Sequence, residues 1–115
     1  MSKRSGIAVI LSPYRSDDPT EFRKFREYRH NCIRHATERG YAPYASHQMM
    51  TDSYDDRIPE ERRKGMQCER AFLEIADAVL VYIDEGISGG MLETLNSLPD
   101  SAPHPTFIRL LGGQS

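Results

Sequence analysis

Two short apolar runs constrain this chain more than any other feature: Ile7-Ala-Val-Ile-Leu11 and Ala78-Val-Leu-Val-Tyr-Ile83. Neither alternates apolar with polar residues, so neither suits a strand with one face in water. Continuous runs of this kind belong to strands buried on both faces, and such strands build parallel sheets covered by helices. A parallel pair needs a crossover connection, which is usually a helix.

The segments between and beyond the runs supply those helices. Asp18-Pro19-Thr20-Glu21 has a cap residue, a proline suited to the first helical position and a Glu three after the cap. Phe22, Phe25, Tyr28, Cys32, Ile33 and Ala36 then recur at three-to-four spacing as one apolar face, and Gly40 supplies the stop. Arg23, Lys24, Arg26 and Arg29 fall off that face and read as a solvated surface. Tyr41 to Ala45 reads as a short second strand weakened by Pro43. Ser46 to Arg57 is a polar loop containing Asp52, Asp55 and Asp56, with Met49 and Met50 as packing residues or, alternatively, contacts to an aromatic ligand or a neighbouring subunit, and loops of this length are often functional. Pro59-Glu60-Glu61 opens a second helix, buried through Met66, Ala71 or the stem of Arg70, Phe72 and Leu73 to Ala76, and Asp77 ends it. Ser88 can cap a third helix carrying Met91, Leu92, Leu95 and Leu98. Pro99 to Pro105 is a linker, Thr106 to Leu111 a last strand and Gly112 to Ser115 a loose tail.

Strand and helix thus alternate, which predicts a three-layer α/β fold: a Rossmann- or flavodoxin-like doubly wound sheet of about four to five mainly parallel strands. The 115 residues suit one domain with its core over about 7–111. So small a core makes a homo-oligomer that shares buried surface the expected state.

Composition narrows the partners. With 15 Lys+Arg against 17 Asp+Glu, the net charge of -2 excludes a nucleic-acid coat and a polybasic membrane binder. The longest apolar run, Ala78 to Ile83, is far below the roughly 20 residues of a membrane span. No apolar leader follows Met1-Ser-Lys-Arg, and Cys32 and Cys68 form no CxxC or Cys/His cluster. A reducing cytoplasm is therefore expected, with no disulfide frame, metal or cofactor.

In doubly wound sheets the ligand sits beyond the carboxyl ends of the strands. That rule selects Ser12 to Asp18, Ser46 to Asp56 and Asp84 to Glu93. Ser88-Gly89-Gly90-Met91 leads into a helix, and its free N–H groups suit a phosphate or carboxylate; equally, it is a capped helix after a flexible turn. Glu93, near that helix start, is either a dipole-stabilised surface acid or a nucleophile for an anomeric carbon, with Glu69 or Asp77 as the candidate second carboxyl. A Glu in mid-helix like Glu69 is ordinarily solvated, and Asp77 ordinarily bonds backbone. Asp84 and Glu85 follow the third strand at the ligand edge. Tyr14 and Arg15 pair an aromatic with a cation, which suits a base ring and a phosphate or an ordinary surface turn. His47 follows the second strand at the same edge.

In order and spacing these residues resemble the nucleoside 2-deoxyribosyltransferase-like superfamily, most closely its small, mostly uncharacterised bacterial and phage branch (domains of the DUF4406 and DUF7768 type). The carrying segments are Ser12-Pro13-Tyr14-Arg15, Gly40 to His47, Asp55-Asp56, Pro59-Glu60-Glu61-Arg62, Gly65-Met66, Ala76 to Tyr82 and Ser88-Gly89-Gly90-Met91. The resemblance implies a nucleoside or nucleotide ligand. It gives Glu93 the role of attacking C1′ and Glu69 that of assisting the leaving base. Ser88, Gly89, Gly90 and Met91 become the 5′-hydroxyl or phosphate cradle, and Tyr14 lies near the sugar. The branch reads Ser-x-Gly-Met-x-x-Glu, whereas here Met91 is followed by Leu92, Glu93 and Thr94. The acid arrives one residue early, and one residue is about 100° around a helix. Either the turn compensates or the carboxylate points elsewhere. Two functions are expected, in this order: an N-glycosidase or deoxyribosyltransferase, and a catalytically inactive nucleotide-sensing or sequestering module.

Overall fold

In the computed structural model, residues 6–13, 16–45, 53–55 and 57–110 are described. Strands β1 (Gly6–Leu11), β2 (Tyr41–Tyr44), β3 (Ala78–Tyr82) and β4 (Pro105–Ile108) alternate with helices α1 (Pro19–Glu38), α2 (Pro59–Ile75) and α3 (Gly89–Asn96). The four strands form one sheet in the order β2-β1-β3-β4, and every pairing is parallel. This is the expected three-layer, doubly wound architecture. Most of the polar loop lies outside the described residues, Met49, Met50, Asp52 and Asp56 included, as do Leu111 and the tail.

The two central strands use both faces, as their unbroken apolar sequences require. Ala8, Ile10, Ala78, Leu80 and Tyr82 pack with Tyr28, Cys32 and Ala36 of α1. Val9, Leu11, Val79 and Val81 pack on the other face with Leu73 of α2 and Met91 of α3. Each fully buried aliphatic side chain is worth about 1.5–3 kcal/mol. Pro43 is tolerated because β2 is an edge strand, where a missing N–H costs no central ladder bond.

The helix ends follow the sequence signals. Asp18 caps α1 by accepting from the Thr20 N–H at 3.1 Å, and Gly40 turns the chain at φ +93°. Glu21 does not close a capping box on Asp18. It accepts from the Ser16 hydroxyl at 2.6 Å instead. Asp77 stitches β3 to β1: its carboxylate accepts from the Ile7 N–H at 2.8 Å, and its own N–H donates to the Ile7 carbonyl at 2.7 Å. Gly6, at φ +97°, lies so close that a Cβ there would run into the Asp77 carboxylate.

Several helical faces are rotated or narrowed relative to the apolar pattern. Phe22, Ala71, Ile75 and Leu92 are exposed, whereas Arg29, Glu69 and Thr94 are buried. Phe22 is in the first turn of α1, and Ile75, the last residue of α2, faces solvent while Leu73 and Ala76 on either side of it pack on the sheet core. Leu92 falls outside because Met91 and Leu95 form the inner stripe of the short α3; Leu98, expected on this helix, lies beyond its end at Asn96 and packs on the same core from the connection that follows. Among the described residues no helix is long and apolar enough to cross a membrane.

Candidate functional site

The β1→α1 connection leaves for one face of the sheet and the β3→α3 connection for the other. β1 and β3 are neighbours, so the crevice of the doubly wound sheet opens between their carboxyl ends. On the β1 side, Ser12 and Pro13 are buried. Tyr14 and Arg15, like His47 after β2, lie outside the described residues.

On the β3 side the chain turns through Asp84 to Ile87 into α3. The Ser88 hydroxyl accepts from the Met91 N–H at 3.2 Å, and the Ser88 N–H points back to Met91 Sδ at 3.4 Å. Met91 is itself fully buried, which anchors the start of the helix to the core. Gly89 has nothing within 4 Å of where a Cβ would stand, and Gly90 only the Ser88 hydroxyl at 4.0 Å. The two glycines place no side chain over the helix start; of the first-turn amides that of Met91 is taken by Ser88, and those of Gly89 and Gly90, which have no intrahelical acceptor, are the ones left for an anion.

Asp84 is built into the frame. Its carboxylate accepts from the Tyr28 hydroxyl at 2.6 Å and from the Leu110 N–H at 2.8 Å, and its N–H donates to the same Tyr28 oxygen at 2.9 Å. This ties α1 to the ends of β3 and β4. Burial, reinforced by the bond to Asp84, pushes the Tyr28 phenol far above its ordinary range. A cavity of about 370 Å³ lies beside this link, lined by Lys24, Glu27, Tyr28 and Asn31 of α1, by Asp84 and Glu85, and by Leu110. Lys24 and Glu85 pair across it at 3.1 Å.

The two candidate carboxylates are placed very differently. Glu69 is only 6% exposed, and its carboxylate accepts from the Thr94 hydroxyl at 2.8 Å; Thr94 is itself buried. Glu93 stands on the outside of α3 with 46% of its side chain exposed, ion-paired with Arg62 of α2. The one-residue step in the Met91-Leu-Glu-Thr94 sequence is thus realised in space: Thr94 occupies the inward position and Glu93 the outward one. The structure brings Glu69 to Thr94 and Glu93 to Arg62. Asp77, the other candidate second acid, is at the opposite end of the sheet.

Two contacts were not legible beforehand. Arg62 is 31 residues from Glu93, and no local pattern announces a pair between two helices. Tyr44, at the carboxyl end of β2, stacks on Phe72 with ring centroids 3.8 Å apart. Its buried hydroxyl has no hydrogen-bond partner among the described residues. Burial, with the nearby Cys68 and Glu69, pushes that phenol up to about 12. Among the described residues no group of three or more His, Cys, Asp or Glu side chains gathers where it could hold a metal ion.

A family described as a domain of unknown function (DUF7768) covers residues 6–101, from the first residue of β1 to just before β4. The chain belongs to this family. No curated protein and no solved structure matches it.

Proposed function

We propose that this DUF7768 chain binds a nucleoside or nucleotide in the crevice at the carboxyl ends of β1 and β3, without turning it over. The ligand class rests on the resemblance to the nucleoside 2-deoxyribosyltransferase-like superfamily and is supported by the open space beside Gly89 and Gly90 at the start of α3. One observation carries the absence of turnover. The inward position on α3, where the resembling branch has its Glu, holds Thr94, and Thr94 is engaged with the buried Glu69. A hydroxyl bonded to a carboxylate in the protein interior is poorly placed to attack C1′, and Glu93 is turned outward onto Arg62.

The second reading is an N-glycosidase or deoxyribosyltransferase. It is favoured by the half-exposed Glu93, which solvent and substrate can reach near the start of α3. In that reading the Glu93 carboxylate bonds to C1′ as the C1′–N bond breaks. The base leaves with a proton from an acid such as Glu69, and water or a second base then displaces the carboxylate.

One experiment separates the readings. The pure chain is incubated with each deoxynucleoside and each deoxynucleoside 5′-monophosphate, its melting temperature is recorded, and the ligand is recovered for chromatography. A rise in melting temperature with ligand recovered intact supports binding without turnover. Free base that appears in proportion to enzyme and disappears in Glu93→Gln overturns it in favour of the glycosidase. No shift and no release with any compound overturns both.

A further inference from the structure

We infer that the outward face of α1 is a docking surface for an acidic protein segment, held by Arg23, Arg26 and Arg34. This surface is separate from the crevice, and the inference does not depend on what the crevice binds.

At about 100° per residue, Arg23, Arg26, His30 and Arg34 fall within an arc of about 80° and run for about 16 Å along α1. All four are exposed. The arc lies opposite the face that buries Tyr28, Cys32 and Ala36 against the sheet. The other two cations in this stretch are used within the chain: Lys24 pairs with Glu85 at 3.1 Å, and Arg29 is buried. Among the described residues, none of Arg23, Arg26 and Arg34 closes an ion pair. Glu27 and Glu38 stand four residues on from Arg23 and Arg34, the spacing at which helical pairs form, and still neither pair is made. A chain of net charge -2 thus gathers three uncompensated guanidinium groups on one helix face.

Charge complementarity sets the partner. Each guanidinium is a planar fork that takes a carboxylate through two parallel N–H···O bonds. A partner helix with Asp or Glu recurring every three to four residues along one stripe meets all three forks. Glu27 and Glu38 lie on the flank of the arc toward Lys24, whereas Phe22, Ile33 and Thr37 lie on the other. A nucleic-acid duplex or an anionic membrane is broader than the arc and would meet the acidic flank as well; a single peptide segment lies beside it. The narrow width and the negative net charge of the chain therefore favour protein carboxylates over a phosphate polymer. Exposed ion pairs are individually weak and are screened by salt, so the three arginines act together and the complex is salt-sensitive.

The test titrates the full chain into labelled probes and reads fluorescence anisotropy. The probes are an alanine-based peptide with Glu at the spacing of the stripe, the same peptide with Gln in place of Glu, and single-stranded and duplex DNA; cosedimentation with vesicles containing phosphatidylserine is measured alongside. Two triple variants are compared with the wild type. Arg23→Gln/Arg26→Gln/Arg34→Gln removes the stripe, and Arg57→Gln/Arg63→Gln/Lys64→Gln removes the same charge from exposed side chains around the start of α2. Melting temperatures check that both fold, and Arg26→Gln alone, expected to lose about threefold in affinity, carries the test if the triple variant does not. The Glu peptide is expected to bind the wild type about tenfold or more tightly than the Gln peptide, and less tightly as salt is raised. The stripe variant loses about tenfold or more in affinity for the Glu peptide, and the control variant less than about threefold. An unchanged stripe variant, or equal losses in the two triple variants, overturns the role of the stripe. Tighter binding of DNA or of the vesicles than of the Glu peptide overturns the assignment to an acidic protein segment. Binding of none of the probes overturns the docking surface itself.

Discussion

The Thr94 hydroxyl donates to the Glu69 carboxylate at 2.8 Å, joining α3 to α2 through two buried side chains. The adjacent residue on α3, Glu93, joins the same two helices from outside through Arg62. One pair lies in the protein interior and the other in water, and physical chemistry values them differently.

Removing the inner donor is expected to cost more than removing the outer pair. Thr94→Val takes a hydrogen bond from a buried carboxylate and is expected to destabilise by about 1–3 kcal/mol. Thr94→Ser keeps the hydroxyl and loses one methyl, which costs less than about 1.5 kcal/mol. Glu93→Gln breaks a half-exposed ion pair and costs about 0–1 kcal/mol. Urea denaturation of the three variants checks the order. A Thr94→Val variant no less stable than Glu93→Gln would remove the Glu69–Thr94 bond from the account of the fold.

The amino end of the sheet depends on a glycine. Gly6 has φ +97°, and a side chain there meets the carboxylate that bonds the Ile7 N–H. Gly6→Ala is expected to destabilise by about 2 kcal/mol or more, combining backbone strain with displacement of Asp77. Replacing Gly89, which has open space around it, is expected to cost much less. Thermal denaturation of Gly6→Ala and Gly89→Ala side by side tests the difference.

His35 makes stability fall with acid. Arg39 Nε–H donates to His35 Nε2 at 3.0 Å, which requires that nitrogen to be unprotonated and leaves Nδ1–H to face the Tyr82 hydroxyl at 2.9 Å. Burial first, and then the Arg39 charge, hold the imidazole below its ordinary 6.5. The unfolded chain therefore binds the proton more readily. The contribution of His35 is complete above pH 6.5 and is lost as pH falls through the lowered folded value. Urea midpoints measured from about pH 7.5 down to about pH 5 are expected to decline less in His35→Gln than in wild type. Equal slopes would remove His35 as the cause.

The two cysteines are expected to separate by access. Cys32 is fully buried, and burial pushes its thiol up to about 12, whereas Cys68 is exposed on α2. A thiol reagent near neutral pH is expected to modify Cys68 alone in the native chain and both cysteines once it is unfolded. Rapid reaction of both in the native state would show that α1 opens readily.

The unbroken apolar composition of Ile7–Leu11 and Ala78–Tyr82 was enough to place both strands inside a parallel sheet, because no one-sided strand could bury them. Asp18, Pro19, Gly40, Pro59 and Ser88 marked helix boundaries through local backbone chemistry, and such signals act within a few residues. The carboxyl-edge rule led from there to Ser88, Gly89 and Gly90. What the sequence left open was decided by long-range packing: Glu69, in a position that ordinarily faces water, is buried, and Leu92 is exposed in spite of its side chain. The same packing sent Thr94 inward and Glu93 out to an arginine 31 residues away. A helix presents each successive residue about 100° further round, so composition states which residues lie near the crevice. Only the docking of α2 and α3 on the sheet determines which of them faces it.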